Sequence, residues 1–251
     1  MNSLLESIRG RYFLSAMMGT TTGAWAGTHC RGAAMAQLGV YILDAPGKHE
    51  GPAWLDSRED VLEAYLRAEF AECRRLAAPG TVVCANMFLC AEKSVESSAR
   101  VFRKAGGDLY ELNGHGGVAG ARESGTGCYM FMPEHAEKLH RWVRMLAATG
   151  IPLTVKAKSG VIADYVQHLK RFEEAGVIAF HINVRDEQNR TQDLAALEAV
   201  RRGTRLFLMA SGYVTDSASA RRLFDAGADA VGVAEAAMKD PGIFGKVLAG
   251  G

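Results

Sequence analysis

Ionisable and amide side chains stand at the ends of several apolar runs in this sequence, where folding would bring them together. The candidates are Asn86, Glu111, Asn113, His115, Lys156, Lys158, His181, Asn183, Arg185, Ser211 with Gly212, and Glu235 after Ala234. A desolvated lysine can act as a nucleophile or a fixed cation, while a histidine or a carboxylate can transfer a proton. We therefore take Lys156, Glu111 and His115 as catalytic candidates and expect a small-molecule substrate.

The stretch at positions 109–127, LYELNGHGGVAGARESGTG, shows this pattern most clearly. A short strand runs into a loop with six glycines, which is too many for a helix. Because the side chains of a strand alternate between its faces, Glu111 and Asn113 share one face. An ordinary surface loop after a buried strand would also fit the pattern, and His115 would then be solvated.

The other candidates also have structural interpretations. His181 fits a core histidine that is hydrogen-bonded to backbone, and Arg185 fits a solvated loop cation. Lys156 has the same strand parity as Thr154, which points it into the interior, where a lysine needs a partner or a function. The convergence of such groups from consecutive strands favours a functional site over packing.

Eight strand-like apolar runs alternate with amphipathic helical runs along the chain. Strands are expected at Tyr12–Met17, Val40–Leu43, Val82–Met87, Leu109–Leu112, Leu153–Lys156, Ala179–Asn183, Leu206–Met209 and Ala230–Val233. Helices are expected at Arg58–Leu76, Lys93–Ala105, Glu134–Thr149, Asp164–Ala175, Leu194–Arg202 and Asp216–Ala226, with a first short helix at Gly32–Leu38. Glycines 106, 150, 176 and 227 are expected to end four of these helices. The alternation predicts a single (β/α)8 TIM-barrel domain over residues 1–251.

An open doubly wound sheet shares this alternation, but it usually has a G-x-G-x-x-G turn after its first strand. Here residues 18–23 read Met-Gly-Thr-Thr-Thr-Gly, which has a different glycine spacing. Residues 44–56 form a long loop with two prolines, which would cover the barrel or close over it as a lid. In a barrel, the active site lies at the carboxyl ends of the strands, where the candidate residues stand.

Composition limits the partners of the chain. The net charge is +1 and the charges are mixed, so no basic tract favours nucleic acid or an anionic membrane. No apolar run approaches the ~20 residues that span a bilayer, and the amino terminus lacks a signal peptide's hydrophobic core, so we expect a cytoplasmic protein. Five cysteines without a C-x-x-C pair argue against a disulfide framework and a zinc site, and we expect no metal. Assembly into a homo-oligomer stays open.

A collinear set of motifs between positions 86 and 244 points to a known group of proteins. The motifs are Glu-Leu-Asn at 111–113, Gly-Thr-Gly at 125–127, Thr-Val-Lys at 154–156, His-Ile-Asn-Val-Arg at 181–185 and Asp-Pro-Gly-Ile-Phe at 240–244. They are similar to the D-I-N strand, the following G-x-G, the V-K-x-R strand, the V-H-G-R segment and the closing N-P-x-x-F of one family. The chain thus resembles the FMN barrels of the dihydrouridine synthase and dihydroorotate dehydrogenase group, and in particular its short archaeal-type TIM-barrel proteins.

The chain also departs from that pattern. Synthases that act on tRNA carry Cys-Pro where this chain has Gly116-Gly117, so we expect His115 to donate the proton, with an ordinary imidazole pKa of ~6.5. The synthases have a helical RNA-binding domain after the barrel, whereas this sequence ends soon after strand eight, and we do not expect nucleic acid as a partner. Ala234-Glu235 replaces a family Gly-Arg that helps to hold the flavin phosphate. A carboxylate beside a phosphate is unfavourable by ~1 to 4 kcal/mol, which argues against FMN.

The resemblance implies a role for each candidate. Lys156 would lie against the flavin, Asn86, Asn113, His181 and Asn183 would surround the ring or the substrate, Ser211, Gly212, Ala234 and Glu235 would lie at the phosphate, and Arg185 and Lys158 would bind substrate. The implied activity is an FMN-dependent reduction of a C=C or C=N bond in a small pyrimidine-like or pterin-like heterocycle. A link to tetrahydromethanopterin and one-carbon metabolism rests on association of the relatives with archaeal one-carbon chemistry.

Two alternative functions stay open at this point. One is a flavin-free lyase or aldolase, with Lys156 as a Schiff-base nucleophile and Glu111 or His115 as its base. The other is a non-catalytic barrel that binds a ligand or a partner.

Overall fold

Eight parallel strands form a closed barrel in the computed structural model, which describes residues 3–47 and 49–248, with side chains to residue 245. The strands are β1 Tyr12–Leu14, β2 Met35–Leu43, β3 Val82–Leu89, β4 Leu109–Gly114, β5 Leu153–Lys158, β6 Ala179–Asn183, β7 Phe207–Ser211 and β8 Ala230–Val233. Each strand pairs with its sequence neighbour, and β1 pairs with both β2 and β8. The predicted (β/α)8 TIM barrel is therefore confirmed.

Helices connect the strands on the outside of the barrel. They are α1 Gly23–His29, α2 Glu59–Leu76, α3 Lys93–Ala105, α4 Ala136–Ala148, α5 Val166–Ala175, α6 Leu194–Gly203, α7 Ser217–Asp225 and α8 Ile243–Leu248. Shorter helices lie at Ser3–Glu6, Ala121–Ser124 and Glu235–Lys239, with 3-10 turns at Gly127–Phe131 and Pro133–His135. Gly106 and Gly176 end α3 and α5 with φ of 85° and 88°, as predicted for left-handed caps. None of the described helices combines the length and the apolar character needed to cross a bilayer.

The prediction of a first helix at Gly32–Leu38 is wrong. The first helix of the barrel is instead α1, at Gly23–His29. It begins after Thr22, whose hydroxyl accepts a hydrogen bond from Trp25 N. Residues 35–43 instead form β2, in which every residue except Val40 is buried. A strand buried on both faces shows no polar alternation, so its period of two is hidden in the sequence.

The amino-terminal end of the barrel is closed by apolar packing. Phe13, Met35, Cys84, Phe207 and Met209 belong to one buried cluster at this end, together with Leu5 and Ile8 from the amino-terminal segment. The carboxyl ends of the strands stay open by contrast. The fold therefore leaves one end of the barrel for a site.

The loop at 44–56 packs on β2 and β3. Its short strand Trp54–Leu55 pairs in parallel with residues 42 and 43 of β2. Asp44 accepts a hydrogen bond from Ser57 Oγ at 2.7 Å and forms an ion pair with Lys93 Nζ at 3.1 Å. None of the described residues of this loop lines the cavity at the carboxyl ends of the strands.

Candidate active site

A cavity of about 350 Å³ opens at the carboxyl ends of the strands. Ligand pockets typically fall in the range of ~300–1,000 Å³. Its apolar wall is formed by Met17, Met18, Val40, Ile42, Phe88 and Val118. Its polar lining includes Ser15, Asn113, His115, Lys156, Asn183, Arg185, Ser211 and Glu235. Most of the candidates from the sequence therefore converge on one cavity with an apolar and a polar side.

Glu111 is the centre of a hydrogen-bond network beneath this cavity, and it is fully buried. Its carboxylate accepts hydrogen bonds from Asn86 Nδ2 at 2.6 Å, Gln37 Nε2 at 2.9 Å and His181 Nδ1 at 2.8 Å. Burial opposes its ionisation, but electrostatic interaction with His181 and Lys156, together with the hydrogen bonds from His181 and Asn86, outweighs that cost and lowers the pKa of Glu111 to about 2. Glu111 is thus a permanent carboxylate with well-satisfied oxygens.

The network fixes the tautomer of His181. Burial and the nearby Lys156 cation lower the pKa of His181 to about 4, so the ring is neutral at neutral pH. A carboxylate can only accept, so His181 donates from Nδ1 to Glu111, and its Nε2 accepts the hydroxyl hydrogen of Ser211 at 2.8 Å. Ser211 lines the cavity with its proton already committed, and it therefore offers only lone pairs to a ligand.

Lys156 is the cation of the cavity floor. The residue is 3% exposed, and its Nζ lies 3.9 Å from Glu111 Oε1, an ion pair too long for a hydrogen bond. Burial lowers the pKa of Lys156, and the Glu111 carboxylate opposes that shift. Because Lys156 lines the cavity while Glu111 does not, the ammonium group is available to a bound molecule.

Two asparagines of the network shape the loop that follows β4. Asn113 donates from Nδ2 to Asn86 Oδ1 at 2.7 Å, and its Oδ1 accepts from the backbone N–H groups of His115 and Gly116 at 2.9 and 3.1 Å. Both ends of the Asn113 amide are therefore engaged by the protein. Its role is to hold the glycine loop and to place His115 on the cavity wall.

His115 lies in the cavity as predicted, but its protonation differs from the expectation. Burial, followed by the charges of Lys156, His181 and Lys158, lowers the pKa of His115 to about 3. The imidazole is consequently neutral at pH 7. The premise of an ordinary imidazole pKa near 6.5, on which the proton-donor role was based, does not hold.

Glu235 has a partner that the sequence does not reveal. Its Oε1 lies 2.6 Å from Arg185 Nη1, and the Arg185 guanidinium stacks over the ring of Tyr213 at 4.4 Å. Glu187 lies 3.3 Å from Arg185 Nε on the other side. The carboxylate of Glu235 is therefore compensated by a neighbouring cation rather than isolated at an anion site.

Four predicted site residues do not line the cavity. They are Asn86, Glu111, His181 and Lys158. The first three are fully buried one layer below the cavity, where they orient Asn113, Ser211 and Lys156, so a supporting role replaces the predicted direct contact. Lys158 is the last residue of β5 and lies outside the lining, although its charge acts on His115.

Sequence reasoning also missed two residues of the site. Gln37 donates to Glu111 and accepts from the backbone N–H of Ala16 at 3.3 Å, which connects β1 to the network. A lone amide in the apolar run MAQLGVYIL was a usable signal, but that part of the run was interpreted as a helix. Ser15 lies directly after β1 and lines the cavity; a serine in an apolar context offers no comparable signal.

The structure is a closed (β/α)8 barrel with a buried lysine at the carboxyl ends of its strands, where TIM-barrel enzymes have their active sites. Residues 119–250, more than half of the chain, match the family model described as Dihydrouridine synthase (Dus). The chain therefore belongs to the dihydrouridine synthase family. No curated protein matches the chain.

Solved structures support the same fold at low sequence identity. Morphinone reductase is 13% identical to this chain with a TM-score of 0.73, and the match covers 96% of this chain and 86% of the reductase chain. FabK from Thermotoga maritima is 14% identical with a TM-score of 0.60, covering 94% of this chain and 60% of its own. Nitroalkane oxidase from Streptomyces ansochromogenes is 12% identical with a TM-score of 0.60, covering 94% and 68%. The chain thus spans less than two thirds of the length of FabK.

Proposed function

We propose that this chain is an FMN-dependent oxidoreductase that reduces a C=C or C=N bond in a small pyrimidine-like or pterin-like heterocycle. The observation that carries the proposal is Lys156, a cation buried on the floor of the cavity of a dihydrouridine synthase family member. Burying an ammonium group is costly unless a partner or a function retains it. At 3.9 Å, Glu111 compensates its charge and leaves its donors free for a ligand.

The residues of the cavity fit such a cofactor. Ser15 Oγ is a buried polar atom without a hydrogen-bond partner in the part of the chain that the structure describes, and Arg185 Nε makes no hydrogen bond although the Glu187 carboxylate lies 3.3 Å from it. Both residues line the cavity, together with Lys156 and Gly212. Donors of this kind suit the ring oxygens and the phosphate of FMN, and a polar, phosphorylated ligand would satisfy them. We assign Lys156 to the ring and Arg185 to the phosphate, which would compete with the Glu235 carboxylate for the guanidinium.

Bound FMN would supply the hydride chemistry, which no side chain of this chain can perform. In the resting protein Lys156 Nζ is an ammonium group, and the neighbouring Glu111 carboxylate favours this protonated form. The hydrogen bond from Ser211 to His181 fixes the direction of the Ser211 hydroxyl, so that its oxygen can accept a hydrogen bond from the ligand. The apolar wall excludes water from the opposite side of the cavity, which strengthens each of these electrostatic interactions.

The proton for the substrate is assigned to Lys156 in preference to His115. A group with a pKa of about 3 is deprotonated at neutral pH and cannot deliver a proton as an imidazolium. Lys156 is an ammonium whose pKa is lowered by burial, which makes it a better acid than a surface lysine. Neutral His115 would then orient the substrate by hydrogen bonding.

A small heterocycle suits this cavity better than tRNA. The net charge of the chain is +1, and the acidic groups Glu187 and Glu235 flank Arg185 at the mouth. Carboxylates at an entrance repel a polyanionic backbone. Phe88, Val40 and Ile42 offer an apolar surface for a flat ring. Among such rings, we propose as the more specific substrate a pterin related to tetrahydromethanopterin, which would connect the reaction with one-carbon metabolism.

The substrate class can be tested with FMN-loaded protein that has been reduced chemically under anaerobic conditions. A pyrimidine, an oxidised pterin or tRNA is then added, and the return of the visible absorption of oxidised flavin is followed. We expect rapid reoxidation by one of the two small heterocycles and none by tRNA. Reoxidation by tRNA alone would overturn the proposed substrate class.

A further inference from the structure

Ser15 is a buried hydroxyl on the cavity wall without a partner. It follows β1 directly, and its backbone N–H donates to Val233 O at 2.8 Å, which fixes the residue between β1 and β8. The residue is 3% exposed, and its Oγ makes no hydrogen bond within the described chain. The hydroxyl lies against Gly232, where an added Cβ would come within 2.4 Å of Ser15 Oγ. Only a glycine on β8 leaves room for this side chain.

A hydroxyl in this state does not stabilise the folded protein. Leaving a buried donor unsatisfied costs about 1–3 kcal/mol, and a side chain without the polar group avoids this cost. Alanine at this position would keep the β1–β8 backbone contact and remove the unpaired group. Because Ser15 lines the cavity, a molecule that enters the cavity can satisfy this hydroxyl.

Ser211 provides an internal contrast. It lines the same cavity from β7, and its register partner on β8 is Gly232, the residue against which Ser15 packs. Ser211 donates its proton to His181 Nε2, so it can only accept from a ligand. Ser15 has no acceptor within the described chain and keeps its proton for a ligand. The two serines thus differ in hydrogen-bond direction.

We propose that Ser15 is a further cofactor-binding residue, whose hydroxyl donates a hydrogen bond to an acceptor oxygen or nitrogen of FMN. The inference rests on the proposed function of the cavity. It adds the Ser15 side chain, at the end of β1, to the polar groups that are proposed to contact the cofactor. The expected loss on removing the hydroxyl is about tenfold in FMN affinity, which corresponds to ~1.4 kcal/mol.

Thr154 supplies a matched control for the test. Its Oγ1 is also buried without a hydrogen-bond partner, but Thr154 does not line the cavity. Ser15→Ala and Thr154→Val each remove one unpaired hydroxyl from the barrel interior. Both variants should unfold at the same temperature as the cofactor-free wild type or at a higher one, because neither loses a hydrogen bond.

The experiment titrates FMN into the three proteins and follows flavin fluorescence, with thermal unfolding of each cofactor-free protein measured in parallel. We expect about tenfold weaker binding for Ser15→Ala and unchanged binding for Thr154→Val. Equal affinity of Ser15→Ala and wild type would overturn this inference alone, as would an equal loss in both variants or a lower unfolding temperature of Ser15→Ala only. Absence of FMN binding by the wild type would overturn the proposed function together with this inference.

Discussion

Two polar regions adjoin the cavity, one below its floor and one at its rim. They differ in how many of their hydrogen-bonding groups have a partner within the protein. Below the floor, Glu111 and its neighbours on β2, β3 and β6 exchange hydrogen bonds at 2.6 to 2.9 Å, and every partner is internal. At the end of β1, Ser15 keeps a buried hydroxyl without a hydrogen bond, and after β6 the Arg185 guanidinium is ion-paired with the carboxylates of Glu187 and Glu235 at the rim. The first region is satisfied by the protein alone, whereas the second region has polar groups for the ligand that we propose.

This difference separates stability from binding. Charges in a dry interior interact strongly, while exposed pairs contribute little because water screens them. Glu111 and His181 are fully buried, but the side chain of Glu235 is 60% exposed. Substitutions in the network below the floor should therefore destabilise the protein, and substitutions at the rim should change ligand affinity with little effect on folding.

The largest effect is expected from Glu111→Leu. The substitution leaves the Lys156 cation without its counter-charge and the donors of Gln37, Asn86 and His181 without an acceptor. Removing one member of a buried charge pair costs about 3–5 kcal/mol, so the free energy of unfolding in urea should fall by that amount. Glu235→Leu serves as the control at the rim and should cost less than ~1 kcal/mol. Similar losses in the two variants would contradict the distinction between the two regions.

Lys156→Met should separate charge from packing. Methionine fills the same space without the cation, so the variant should fold, with its Glu111 still bound to three donors. A cation beside the ring favours the more negative, reduced form of FMN, and its removal should lower the reduction potential of bound FMN. A shift of ~30 mV corresponds to ~1.4 kcal/mol for a two-electron couple, and we expect at least this much. An unchanged potential in a spectroelectrochemical titration would place Lys156 away from the ring.

The barrel could be predicted from the sequence because its signals are local and repeated. Left-handed glycines at positions 106 and 176 end two helices, and strand parity correctly placed Glu111 and Asn113 on one face. The failure at the first helix has a physical cause as well. A fully buried strand such as β2 carries apolar residues on both faces, and this pattern cannot be distinguished from a short buried helix.

The site was predicted only to the level of which strands contribute to it. Parity cannot tell whether a buried polar group lies in the layer that touches the ligand or one layer lower, and Asn86 and His181 lie in the lower layer. Long-range pairs are equally hidden. The partner of Glu235 is Arg185, which lies 50 positions earlier in the chain, and the depressed pKa of His115 depends on its burial and on the lysines at positions 156 and 158 of another strand.

A double-mutant cycle on Arg185 and Glu235 tests the rim of the cavity. Arg185→Gln should weaken FMN binding about tenfold, because a charge-assisted contact to the phosphate is lost. Glu235→Gln should tighten it by a smaller factor, since the arginine is released from its carboxylate. In the Arg185→Gln background the same Glu235 change should have a different effect on the dissociation constant. Strictly additive effects in the fluorescence titration would show that the pair does not act on the ligand.

The last variant concerns the pH dependence of stability. Because the pKa of His115 is lowered to about 3 in the folded protein, the unfolded chain binds its proton first as the pH falls. Stability is therefore fully present above the unfolded value near 6.5 and is lost progressively as the pH falls towards 3. His115→Gln should reduce the slope of the free energy of unfolding between pH 6 and 4 by up to ~1.4 kcal/mol per pH unit, the value for one proton. An identical slope in both proteins would mean that His115 titrates normally.

The direct test of the central claim is the binding of FMN by the wild-type protein. Freshly purified protein is stripped of small molecules, and FMN is titrated in while flavin fluorescence and the visible absorption spectrum are recorded. A flavin site predicts saturable binding of one FMN per chain, with a changed fluorescence and a shifted absorption band that follow one binding curve. Fluorescence that rises linearly with added FMN, without saturation or spectral change, would contradict the assignment of this barrel as a flavoprotein.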